Sequence, residues 1–207
     1  MLGLPFLPLS DFLAFAIAIV VAITFHEFSH AFAATLLGDP MPRRQGRLSL
    51  NPLRHLDPLG TLLILLAGFG WGRPVLVNPV ALRPSPLAGM ALVAAAGPAS
   101  NVLLAYLCGW LLRADLLTTP LLIDVVQRSI VLNVVLAVFN LIPVPPLDGF
   151  RVLVGVVPKR TAASLLAFEA QGPIFLLLLL LAGYVLNLNI IGWIVTPVAR
   201  AILQVVV

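Results

Sequence analysis

The chain has 207 residues, 61% hydrophobic and only 10% charged, with a net charge of +4 and a mean hydropathy of +1.11. A soluble domain is about half apolar and about a quarter charged, so this composition cannot cover a water-facing surface, and most of the outside must face lipid. The charge comes from eleven arginines and one lysine against eight acids. These cations lie between apolar runs with no aromatic-interleaved basic patch, which argues against a nucleic-acid partner and marks them as loop anchors and topology signals.

Residues 1–11 carry neither a basic n-region nor a small-residue cleavage site, so the first apolar run is expected to be retained. Cys108 is the single cysteine, which excludes an intramolecular disulfide. Residues 12–37 are long enough, at about 1.5 Å each, to cross a roughly 30 Å hydrocarbon core. Residues 88–112 form a second expected span and 121–142 a third, with Asp124 and Arg128 four apart and able to pair. A fourth runs from 172 to about 195, and the remaining tail either lies flat or forms a short last helix. Residues 61–70 are apolar but shorter than the about 17 needed to span. They follow Asp57-Pro58, an N-cap with proline at the first helical position, and so predict a re-entrant helix. Around it, residues 47–50 and 75–77 read as short strands, closed by Asn51-Pro52 and Asn78-Pro79.

The expected fold is thus an all-α polytopic membrane protein. It is a bundle of about four to six transmembrane helices with a small re-entrant β-sheet element, one integral membrane domain over residues 1–207. Arg43, Arg44, Arg47, Arg54, Arg73 and Arg83 all fall between the first and second spans, which the positive-inside rule assigns to the cytoplasm. Arg151, Lys159 and Arg160 return to that side after the third span, and the N-terminus falls outside.

The first span contains His26-Glu27-Phe28-Ser29-His30, an HExxH. Residues i and i+4 share a helix face, so both imidazoles can reach one metal, and Glu27 is placed to act as general base on a metal-activated water. Three ionisable side chains inside an apolar helix each cost roughly 2–3.5 kcal/mol to insert and call for a functional partner. A catalytic zinc usually takes three protein ligands. A third histidine six residues on is absent, since that position is Leu36. Glu169 lies in an amphipathic, interfacial-looking stretch; Asp11, Asp39 and Asp115 flank apolar runs; Asp57 reads as a cap, and Asp124 has Arg128. Elimination leaves Asp148, next to Gly149 after three prolines (Pro143, Pro145, Pro146) that interrupt the third span. Membranes tolerate such a break only where protein or a water cavity satisfies the freed backbone.

HExxH in one span, with Asn140-Leu141-Ile142-Pro143-Val144-Pro145-Pro146-Leu147-Asp148-Gly149 in a later one, resembles the site-2 protease family of intramembrane zinc metalloproteases. Gly97-Pro98-Ala99-Ser100-Asn101 and the run from Asn51 to Gly60 extend the similarity to its compact prokaryotic branch, over residues 12 to about 155. The resemblance implies one Zn2+ held by His26, His30 and Asp148, Glu27 as general base, and a site inside the membrane toward the cytoplasm. It also implies that Asn140 assists catalysis, as a donor to the developing oxyanion. Substrates would be transmembrane proteins or peptides, cut within or near the bilayer. Asn133 is expected to make a helix–helix hydrogen bond, Gly97, Pro98 and Asn101 to set packing and a kink, and His55 to bond locally in the turn before Asp57. The alternatives are a metal transporter, which the lack of an internal repeat disfavours, and an inactive scaffold, which would have lost Glu27 or a ligand. A homo-oligomer stays open.

Overall fold

The computed structural model describes residues 8–67, 70–186 and 190–206. Its α-helices are α1 (Leu9–Leu36), α2 (Met41–Arg44), α3 (Pro58–Ala67), α4 (Pro86–Arg113), α5 (Pro120–Asn140), α6 (Asp148–Val156), α7 (Lys159–Phe168), α8 (Gly172–Val185) and α9 (Ile190–Val206). Four helical stretches are long and apolar enough to cross a membrane: α1, α4, α5 and the run Lys159–Gly183 through α7 and α8. The first three match the spans expected from the sequence, and the chain is a multi-pass membrane protein. Helices α4 and α5 both open on proline at the first position, where a missing N–H costs nothing.

The core is α1, α4 and α5, with α6 against α4 and α9 against α5. Buried residues on α1 recur every fourth position: Ala14, Ala18, Ala22, His26, His30 and Ala34. On α4 the same stride gives Gly89, Val93, Gly97, Asn101, Ala105 and Gly109. On α5 it gives Ser129, Asn133 and Ala137. Such i±4 ridges interlock between helices. Small residues on them let backbones approach, which is how helices associate where lipid removes the hydrophobic drive. His26 and His30 continue the alanine ridge, so the sequence that packs α1 also turns both imidazoles inward. At the far end of the bundle Arg128 bonds both oxygens of Asp124, the expected pair, and also reaches Asp11 Oδ1 at 3.4 Å, tying α5 to α1.

One expectation fails. The small β-sheet is not formed: among the described residues there is no strand, only an isolated antiparallel bridge between Leu56 and Gly72. Side chains have taken the positions a ladder would use. Arg47 donates to the carbonyls of Arg54, Arg73 and Pro74 at 2.6, 2.9 and 2.9 Å. Gln45 Nε2 donates to Leu76 O, and Asp39 Oδ2 accepts from Asn78 N. The expected fourth span, 172 to about 195, overlaps the apolar helical stretch Lys159–Gly183 and runs on through residues 187–189, which lie outside the described ones. The tail forms a helix, as one of the two readings allowed, with Val195, Ala199 and Val206 packed against α4 and α5.

The re-entrant reading of 61–70 fits the geometry. Asp57 Oδ1 caps α3 by accepting from Gly60 N at 2.8 Å. At 10 residues α3 is about 15 Å long, half a bilayer core. Gly70 then lies directly against the Gly60 carbonyl, so the chain doubles back to where α3 began. Single cysteines at positions 45 and 80, with Cys108 replaced, should therefore react with an impermeant thiol reagent from one and the same side of sealed vesicles. Reaction from opposite sides would mean that the segment crosses.

Candidate metal centre

The two histidines of HExxH reach the centre from α1, and Asp148 reaches it from the first residue of α6. The loop 141–147 that delivers Asp148 is folded tightly enough for the Leu141 carbonyl to rest on Gly149, where any Cβ would collide with it. The aspartate left by elimination is thus the one the fold brings beside the two histidines. His26 Nε2 and His30 Nε2 are 3.0 Å apart, and Asp148 Oδ2 lies 3.1 and 3.3 Å from them.

What these atoms are doing follows from the far side of each ring. His30 Nδ1 donates to the carbonyl of Val93 at 2.7 Å. A carbonyl can only accept, so Nδ1 carries a proton, and in the neutral ring Nε2 presents a lone pair. His26 Nδ1 donates to Asn101 Oδ1 at 2.6 Å. That amide is oriented by its own nitrogen, which donates to Ala22 O at 3.1 Å and to Asn133 Oδ1 at 2.7 Å. Two imidazole lone pairs and a carboxylate oxygen therefore converge, and Asp148 Oδ2 is buried without a hydrogen-bond donor. Three acceptors at this separation repel unless a cation lies between them. For tetrahedral zinc with bonds of about 2.0–2.1 Å, ligand atoms should be about 3.3 Å apart, close to the observed triangle. The three residues are also the group whose ligand atoms could hold a metal ion among the described residues. Gly97 makes the approach of α4 feasible, because a Cβ there would sit 2.5 Å from His30 Nε2 and 2.7 Å from His26 Cε1.

Glu27 is next to the first histidine, half-buried, and its carboxylate makes no hydrogen bond or ion pair among the described residues. Over it lies the neck of the hairpin that α3 begins: a Cβ on Gly72 would stand 3.3 Å from Glu27 Oε1. Arg47, 5% exposed, is close enough for charge to matter. Burial lowers its guanidinium below the usual value while the Glu27 carboxylate opposes that shift. Asn140, at the end of α5, donates from Nδ2 to Leu136 O at 2.9 Å in its own helix and has no hydrogen bond to the triad.

Asn133 makes the helix–helix hydrogen bond expected of it. His55 is fully buried and bonds Ser49 O through Nε2 at 2.6 Å, a structural tie that reaches back beyond the Arg54–Asp57 turn where its bond was expected. Asn101 was undervalued by the sequence reading, which saw only packing and a kink. It orients His26, and the clue was its place four residues after Gly97 on the buried ridge. Outer partners of this kind typically contribute 10–100-fold to metal affinity. Asn101→Ala should weaken zinc binding by about that factor in competition with a chromophoric chelator, with helix content unchanged by circular dichroism.

Comparison with known proteins agrees with this chemistry. Residues 114–185 match the model of peptidase family M50. Two curated relatives are each named a "putative zinc metalloprotease". YwhC of Bacillus subtilis is 43% identical over 190 residues, covering 86% of either chain. Rip2 of Mycobacterium tuberculosis is 32% identical over 185 residues, covering 84% of this chain and 67% of its own. No solved structure matches significantly. With a zinc-competent His2Asp triangle inside a membrane bundle and relatives at this identity over most of its length, the chain belongs to peptidase family M50, the site-2 protease family of zinc metalloproteases.

Proposed function

We propose that this protein is an intramembrane endopeptidase that hydrolyses peptide bonds of membrane-spanning proteins or peptides within or near the bilayer, in a prokaryotic cell membrane. His26, His30 and Asp148 hold one zinc per chain, and the site lies toward the cytoplasmic face. The observation that carries the reading is the convergence of three acceptor atoms, two of them from a helix long and apolar enough to cross the membrane that also carries the unbonded carboxylate of Glu27. His30 is six residues, about 9 Å, from the end of α1. The arginine-rich 39–87 segment follows that end, which supports the cytoplasmic assignment.

When bound, zinc supplies Lewis acidity at the triad. Glu27 accepts the proton of the attacking water and returns it to the leaving amine nitrogen, the work of a general base and then acid. Asn140 uses one Nδ2 proton on Leu136 O, and its second is free to donate to the oxyanion. A helical substrate has its amides bonded, so it must be locally unwound before it can be cut. Val75 and Val77 form no backbone hydrogen bond among the described residues. Their edge is therefore open to pair with an extended peptide by strand addition, although the protein itself forms no sheet there.

Metal analysis of purified protein, alongside cleavage assays on a panel of single-span membrane proteins, tests the reading. Stoichiometric zinc with cleavage supports it. Zinc moved across proteoliposomes by a protein that cuts nothing would replace it with a transporter.

A further inference from the structure

Arg47 is 5% exposed and, among the described residues, pairs with no carboxylate. Its guanidinium is used on carbonyls instead. Nη1 donates to Arg54 O and Arg73 O, and Nη2 to Pro74 O. These acceptors lie on the two sides of the hairpin that α3 begins, Arg54 before α3 and Arg73-Pro74 after it. One side chain therefore clasps the neck. A further tie crosses at the same level: the antiparallel bridge of Leu56 with Gly72, to which Arg73 N contributes by donating to His55 O at 2.7 Å. Gly72 is the residue that stands against Glu27 Oε1, and Val75 and Val77, with their open backbone edge, follow within five residues. Burying a cation is costly. Its use here, where a neutral side chain could fill space, calls for something only a planar fork of several donors can do.

We propose that Arg47 is a positioning residue for peptide binding. By holding three carbonyls at once it fixes the 72–77 segment over Glu27, so that a peptide backbone paired with Val75 and Val77 runs past that carboxylate. The inference rests on the peptidase reading of the site and adds the group that aligns its substrate. Lysine cannot replace it, because an ammonium is a point charge on a flexible stem and lacks the fork.

The test uses full-length, zinc-loaded protein in detergent and its Arg47→Lys and Arg47→Met variants. Two probes are compared: a peptidyl hydroxamate, with an extended backbone attached to a zinc-binding group, and acetohydroxamate, which has the zinc-binding group alone. Both variants should weaken the peptidyl compound about tenfold or more, the scale of one charge-assisted hydrogen bond. Acetohydroxamate affinity and zinc content should match the parent. Amide exchange at Arg73, measured without any ligand, should accelerate in Arg47→Met. Equal weakening of both hydroxamates would mean a general loss of structure, and unchanged peptidyl binding would mean that the clasp does not align substrate; either overturns the proposal. A parent protein that binds neither compound overturns the peptidase reading itself, a result distinct from any difference among the variants.

Discussion

Glu27→Gln is expected to keep one zinc per chain and to lose peptide-bond cleavage. Glutamine has the same size and shape. Since the Glu27 carboxylate makes no hydrogen bond or ion pair among the described residues, the exchange removes only its longer-range attraction to Arg47 and leaves His26, His30 and Asp148 in place. What disappears is the acceptor for the water's proton. General acid–base groups contribute about 10²–10⁴-fold, and among the described residues the carboxylate grouped with the two histidines is Asp148, which the metal would occupy. Zinc content and cleavage of a membrane substrate, measured on one preparation, test both halves. A variant that cuts as fast as the parent would end the general-base assignment.

Asp148→Ala should have the opposite profile, losing metal first and cleavage as a consequence. It leaves two imidazoles where catalytic zinc sites use three protein ligands. Affinity should fall by more than the about 10–100-fold expected for a supporting partner such as Asn101. Asp57→Ala is the control. Asp57 caps α3 through Gly60 N and lies outside the triad, so its loss should cost roughly 1 kcal/mol of local stability and leave zinc stoichiometric. Zinc per chain after dialysis against a weak chelator separates the two. A metal-free Asp57 variant beside a metal-replete Asp148 variant would reverse the ligand assignment.

The parts of this site that were legible in sequence are those where chemistry leaves a spacing or a shortage. His26 and His30 are readable because a helix puts i and i+4 on one face, and Asp148 because the chain has so few other acids to spend on a ligand. Asn101 was harder, since a buried amide that orients a ligand and one that packs two helices look alike in one dimension. The missing sheet has another cause. Alternation near residues 47–50 and 75–77 suggests strands, but it cannot reveal that Arg47, Gln45 and Asp39 bond to carbonyls and an amide of the surrounding loops before another strand can. Arg47 was read as a topology charge, which its position supports, and its second task depends on contacts distant in sequence.

The relay from His26 to Asn101 to Asn133 joins α1, α4 and α5 by two hydrogen bonds in series. Its consequence is thermodynamic. An imidazole is correctly presented only when all three helices are docked, so metal affinity and helix docking are linked functions, each drawing on the other. Free zinc at a hundred times its dissociation constant would add about 2.7 kcal/mol to the docked state. A chelator should accordingly lower the unfolding temperature of the three-helix unit, making the ion a reporter of assembly as well as a participant in hydrolysis.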